Sequence, residues 1–144
     1  MPAKSAKPAG ISETEAMYFR LFNEIGIIAQ LSASQFARVL PEGLTPAQFS
    51  VLNHGVRLGD GWTPARLAAA FQVTRGTMTS TLQKLEGKGL IRIDPDAEDA
   101  RSKRVYLTPA GRAVREAGIR ALGPLFARLP EGFSPSDAAA IVPE

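Results

Sequence analysis

The sequence contains no cysteine and a single histidine, His54, among its 144 residues. Without thiols it can build no disulfide, no thiolate metal site and no thiol-based redox sensor. One imidazole argues against a multi-histidine metal site and permits a Ser-His-Asp triad at most once. The composition therefore disfavours an enzyme before any motif is read. Long apolar runs are also missing, since none approaches the roughly 18 residues that a membrane-spanning helix needs. The first ten residues hold two lysines with no apolar stretch behind them, which is not the pattern of a secretory signal. What remains is ordinary. Apolar residues make up 44% and charged residues 22%, close to globular averages, and this excludes wholesale disorder. The length fits one domain, at most with an appended oligomerisation element. A cytoplasmic protein with no cofactor and no membrane partner is expected.

The chain has 17 basic and 14 acidic residues, a net charge of +3 with a pI near 9.6. The excess is unevenly placed. Between Trp62 and Arg112 there are nine basic and five acidic residues, whereas the rest of the chain has eight and nine. A positive excess confined to one central segment suggests a polyanion partner, although a solvated face can carry the same charge.

Thr45-Pro46, Thr63-Pro64, Thr108-Pro109 and Ser134-Pro135 each place a hydroxyl N-cap before a proline suited to the first helical position. Ser12 with Glu15 forms a capping box, and Thr74 supplies a further cap. These starts predict helices over about 13–40, 46–58, 64–71, 74–88 and 109–129, with another after Ser134. Gly89 is placed to cap the fourth in the left-handed conformation. Residues 90–93 and 104–107 read as strands, joined by a hairpin loop over 94–102. On the first helix, Met17, Tyr18, Leu21, Phe22, Ile25, Ile28, Ala29, Leu31 and Phe36 cover about half the circumference. That is wide enough to pack on the helix's own domain and on another subunit.

Two short helices, a tight turn and a hairpin make a winged helix-turn-helix. In the second short helix Met78, Leu82 and Leu85 form a core stripe. The opposite face presents Thr74, Arg75, Thr77, Thr79, Ser80, Gln83 and Lys84, with no carboxylate before Glu86. Hydroxyl, amide and guanidinium groups can donate to phosphates and read base edges in a major groove. At the hairpin tip, Asp94, Asp96, Glu98 and Asp99 would repel DNA unless Arg101, Lys103 and Arg104 faced it. A calcium loop is excluded by spacing, because counting from Asp94 the sixth and twelfth positions are Asp99 and Val105 instead of Gly and Glu.

The run Val73 to Ile91, followed by Asp99-x-Arg101-Ser102-Lys103 and Val105 to Gly111, resembles the MarR family of bacterial transcriptional regulators. The resemblance spans about Leu44 to Gly111. It implies a fold that is mainly α with a small β-hairpin, a winged helix-turn-helix with N- and C-terminal dimerisation helices. It also implies a homodimer on double-stranded DNA, acting as a repressor on a pseudo-palindromic operator, with the recognition helix in the major groove and the wing in the minor groove. Asp99 would orient Arg101, which would enter the minor groove beside Ser102, Lys103 and Arg104. The expected organisation is a disordered tail at 1–10, a dimerisation helix within 11–42, a DNA-binding lobe at 43–108 and dimerisation helices within 109–144. Gly76 and Ser80 depart from the family pattern and each removes a side-chain contact. The sequence also stops soon after its last helix start. Either the dimer leans more on the first helix, or the sequence ends short of the family's usual end.

Many members of this family are released from DNA by small aromatic acids or phenolics. The corresponding lining here would be Tyr18, Phe22, Phe36, His54, Arg57 and Trp62, with His54 or Arg57 pairing a carboxylate. The same aromatics also suit a core, with His54 and Arg57 on a wetted helix face. A competing reading of the whole chain is a winged-helix dimer that binds proteins and holds DNA only weakly. Gly76 and Ser80 are the residues that favour it.

Overall fold

A computed structural model describes residues 10–141, so the expected tail lies, but for Gly10, outside the described residues. The chain separates into two compact units, the first 38 residues and the remainder.

The first unit is built on helix α1, Glu13–Val39. It starts where the capping box predicts. Ser12 Oγ accepts the Glu15 N–H at 3.2 Å, and Glu15 Oε2 accepts the Ser12 N–H at 2.7 Å. None of its residues is buried. Phe22 is 69% exposed and Leu31 62%, with Met17, Tyr18, Leu21, Ile25 and Ile28 also half or more exposed.

The second unit holds α2 (Pro46–Leu58), α3 (Pro64–Ala70), α4 (Arg75–Gly87), β1 (Ile91–Pro95), β2 (Lys103–Leu107) and α5 (Pro109–Ala121), followed by two short helices. Thr45, Thr63, Thr74 and Thr108 each accept a backbone N–H three residues ahead, at 3.1 to 3.2 Å. Each cap satisfies an otherwise orphaned helix donor, which is why the four starts fall where the sequence places them. α4 ends in a complete Schellman motif. Gly89, at φ +69°, donates to Glu86 O at 2.8 Å, and Leu90 donates to Leu85 O at 3.0 Å. That turn delivers the chain directly into β1.

β1 and β2 pair antiparallel from Ile91↔Leu107 to Pro95↔Lys103, a residue or two longer toward the tip than the alternation predicts. Trp62 pairs with Val105 on the other side of β2, so the segment before α3 adds a third rung to the hairpin. The core between helices and hairpin is centred on Leu52, Leu82, Leu85 and Leu90, its largest fully buried side chains.

The single long helix expected over 109–129 does not form. α5 stops at Ala121, and a four-residue helix α6, Gly123–Phe126, follows. Pro124 has no N–H to give Arg120, and its ring would press on that carbonyl, so the helix breaks there. A 3₁₀ turn at Leu129–Glu131 leads to α7, Pro135–Ile141, capped by Ser134, whose Oγ accepts the Asp137 N–H at 3.1 Å.

α5 docks its N-terminus against the turn between α4 and β1. The Thr108 N–H donates to Leu90 O at 3.1 Å, and Thr108 Oγ1 donates to Gly89 O at 2.7 Å. A Cβ on Gly111 would lie 2.0 Å from Leu90 O, so only glycine permits this approach. Gly111→Ala is therefore expected to destabilise the protein by about 1–3 kcal/mol, as overpacking against backbone does. Gly87→Ala meets nothing within 4 Å and should leave stability level or up to about 1 kcal/mol higher. Denaturant melts of both variants check this, and equal midpoints would refute the close-approach argument.

Candidate nucleic-acid interface

Helix α4 buries Met78, Leu82 and Leu85 and exposes Arg75, Gly76, Thr77, Thr79, Ser80, Gln83 and Lys84. Two of the expected contact hydroxyls serve the helix itself. Thr74 Oγ1 accepts the Thr77 N–H and lies 2.9 Å from Thr77 Oγ1. Thr79, Ser80, Gln83, Arg75 and Lys84 keep their side-chain polar atoms unpaired among the described residues.

The nine basic residues of the central segment divide into two groups. Five are engaged within the chain. The Arg66 guanidinium lies 4.4 Å from the Trp62 ring centroid, and Lys88 Nζ donates to Glu42 O at 2.7 Å. Arg92 pairs with Asp94 and stacks on Tyr106, and Arg112 pairs with Asp60 at 2.7 Å. The Arg104 Nε reaches Asp96 at 2.6 Å while its Nη1 donates to Gly61 O at 3.0 Å. The other four, Arg75, Lys84, Arg101 and Lys103, form no side-chain ion pair or hydrogen bond among the described residues. All four stand on α4 or on the wing.

Arg104 departs from its expected outward role. It is half-buried, and its guanidinium ties the wing to the turn before Trp62, so it works as a brace. Two carboxylates of the acidic tip are neutralised in the same way. Asp94 and Asp96 are held by arginines, and Asp99 Oδ1 accepts the backbone N–H of Arg101 at 3.0 Å. Asp99 thus shapes the turn that carries Arg101 without occupying its guanidinium. Ser102 closes the loop, donating its N–H to Asp99 O and accepting from Asp96 N, both at 2.9 Å. The Glu86 carboxylate is turned onto the Ile93 N–H at 3.2 Å.

Two concavities lie between α4 and the wing. One, of about 330 Å³, is walled by Thr63 to Ala65, Arg75, Thr79, Arg101, Ser102 and Lys103. The other, of about 300 Å³, is lined by Pro64, Thr79, Leu82, Gln83, Glu86, Ile93 and Lys103. The start of α3 and the Asp96–Arg104–Gly61 brace are parts of this surface that sequence reasoning missed. Their signal was the antiparallel register, which sets Arg104 opposite Asp94 and near Asp96. Among the described residues no group of acidic or histidine side chains is placed to hold a metal ion.

The residues considered for a small ligand divide between the two units. Tyr18, Phe22 and Phe36 lie on α1. His54 packs edge-on against Trp62 at 4.4 Å, and with Arg57 it lines a hollow of about 210 Å³ together with Ser50, Asn53, Leu58 and Phe71. The His54 Nε2 is buried with no hydrogen-bond partner among the described residues, and burial pushes the imidazole below its ordinary pKa, favouring the neutral ring.

Residues 42–102 match the profile of the MarR family. The chain is 35% identical over 104 residues to the multiple antibiotic resistance protein MarR of Escherichia coli K12, covering 67% of the chain and 72% of that protein. It is 29% identical over 114 residues to the transcriptional activatory protein BadR of Rhodopseudomonas palustris, covering 78% of the chain. The chain spans 63% of BadR, just under two thirds of that relative's length. Among solved structures, a MarR variant from E. coli complexed with operator DNA aligns with a TM-score of 0.73 and 27% identity. That alignment covers 90% of this chain and 94% of the other.

The brace carries a pH dependence. The N–H of Glu98 and the Arg104 guanidinium hold the Asp96 carboxyl below its ordinary value of 3.8. A lowered folded-state value means that the stabilisation is complete above the ordinary aspartate range and is lost as pH falls through the lowered value. Asp96→Asn should therefore melt at a lower temperature than the parent at pH 7, with the gap closing below about pH 4. A gap that stays constant into strong acid would show that Asp96 does not brace the wing through its charge.

Proposed function

The chain belongs to the MarR family of transcriptional regulators, and from that premise we propose that it binds a pseudo-palindromic DNA duplex as a homodimer. In this reading α4 enters the major groove, and the hairpin tip carrying Arg101 follows the minor groove. The observation that carries it is the sorting of charge. Every unengaged cation of the central segment stands on α4 or the wing, while Asp94 and Asp96 are held by arginines and Glu86 and Asp99 by backbone N–H groups. A surface made this way presents donors to phosphates, with Glu98 the tip carboxylate left unpaired among the described residues.

The dimer is supported by the bare apolar face of α1. Exposed apolar area of this extent on one helix is the mark of an interaction surface, and a second copy of the same face would cover it isologously. The half-sites are then expected about one helical turn apart, roughly 10 bp centre to centre. Repression follows from occupancy, since a dimer over two half-sites excludes other proteins from that stretch. BadR is described as activatory, so transcription from a reporter carrying the selected site decides the sign. The reading places the protein in the cytoplasm, where its duplex is.

Four unengaged cations per protomer make eight per dimer. If each meets a phosphate, the logarithm of the binding constant should fall against the logarithm of salt concentration with a slope of about −7. A lone protomer would give about half that. Arg101→Ala removes two contacts from the dimer and should reduce the slope by about 2, weakening binding at least tenfold at moderate salt. Fluorescence anisotropy across a salt series measures both, and a flat salt dependence would end this reading.

A small aromatic carboxylate as releasing effector is the finer part of the proposal. It is supported by the hollow beside His54, where Phe71 and Leu58 offer apolar surface and the Arg57 guanidinium is unpaired among the described residues. A carboxylate there would gain a charge-assisted hydrogen bond. Benzoate-type acids should then weaken duplex binding by the parent, and Arg57→Ala should lose that response while still binding DNA. An identical response in the two proteins would remove Arg57 from the site.

A further inference from the structure

We propose that Gln83 is the side chain with which this protein selects a base, and that the base is an adenine in the major groove. The proposal rests on the reading of α4 as the helix that enters DNA, and it identifies which feature of the duplex that helix recognises.

With Met78, Leu82 and Leu85 turned to the core, a 100° step per residue puts Gly76, Ser80 and Gly87 along the line opposite the core. That line carries no side chain longer than a serine. Base reading therefore shifts to the flanks. On one flank Thr77 is tied to Thr74 through their hydroxyls, and Lys84 is a point charge without an acceptor, suited to phosphate. On the wing side, Arg75 shares its concavity with Arg101, Ser102 and Lys103, a cluster of cations fitted to the backbone.

Gln83 differs from all of these. It lines the second concavity beside Thr79 and Lys103, is exposed, and makes no hydrogen bond among the described residues. The one carboxylate near it, Glu86, is occupied by the Ile93 N–H and so does not compete for its amide. A planar amide with a donor and an acceptor side by side matches the N6 and N7 of adenine, a donor–acceptor pair that guanine, cytosine and thymine do not carry on one base edge. The short side chains at positions 76 and 80 leave the helix free to seat close enough for that reach.

Selection of bound duplexes from a random pool tests this with the parent protein, Gln83→Ala and Gln83→Arg. The parent should enrich an adenine at one symmetric position in each half-site, and replacing that base should weaken binding about 5- to 150-fold. Gln83→Ala should become indifferent at that position alone. Gln83→Arg should enrich guanine there, since arginine pairs bidentately with guanine. Three identical consensus sequences would overturn the assignment while leaving the DNA reading intact. Loss of the whole consensus in Gln83→Ala, with an unchanged melting temperature, would also overturn it, because Gln83 would then position the helix. If the parent itself enriches no sequence, the DNA reading fails and this proposal with it.

Discussion

A hairpin of two five-residue strands is marginal in water by itself, so the wing exists only where the rest of the fold holds it. Here it is held on every side. Ile91, Val105 and Leu107 are buried beneath it. Trp62 pairs with Val105 along the outer edge of β2, and Glu86 occupies the Ile93 N–H on the outer edge of β1. At the tip end Arg104 joins Asp96 to the Gly61 carbonyl. At the other end Asp60 accepts from both the Leu107 N–H and Arg112, which locks β2 to α5. The distance between wing and α4 is therefore fixed before any partner arrives. A duplex that meets both surfaces meets them in one preset geometry, and little ordering cost falls on binding.

The same bonds settle what the surface can attract. A net charge of +3 says little, because a cation paired inside the chain presents almost no field to a phosphate. What matters is which cations are left over. Bracing the wing occupies arginines at its base and flank, and it neutralises Asp94 and Asp96, two of the tip carboxylates that would otherwise repel DNA. Structure and electrostatics are thus one arrangement. Removing a brace would loosen the hairpin and also expose a negative charge beside the groove.

Local rules were legible in the sequence, and non-local choices were not. The threonine caps, the Ser12–Glu15 box and the Gly89 turn act within a few residues, so their positions can be read directly. The break at Gly123-Pro124 was also visible, but Leu122, Leu125, Phe126 and Leu129 continue an apolar pattern across it, and periodicity alone predicts an unbroken helix. Lys103 and Arg104 show a different limit. Strand alternation requires them to face opposite ways, yet nothing local says which one meets Gly61, some forty residues earlier in the chain. Alternation sets Lys103 on the face of Val105 and Leu107 and Arg104 on that of Tyr106, and only the folded pairing of Trp62 with Val105 brings the Gly61 carbonyl within reach of Arg104. Thr74 and Thr77 lose their freedom for a related reason, since a cap and an exposed contact compete for the same hydroxyl.

The apolar face of α1 and the cations of α4 and the wing belong to one argument. In the proposed complex, four phosphate contacts per protomer would supply only the salt-sensitive, sequence-indifferent part of binding, and at physiological ionic strength such contacts alone give weak association. Two protomers joined in one body make the second half-site an intramolecular event, so affinity rises without any new kind of contact. A helix that leaves Phe22, Ile28 and Leu31 bare to water is costly to a lone chain. It becomes useful only when that face is covered and the two reading surfaces are held at a fixed spacing. The sparse cationic surface and the generous apolar one therefore require each other. On the proposed reading, a reading surface with so few free cations needs a dimer in order to bind one duplex in preference to the rest.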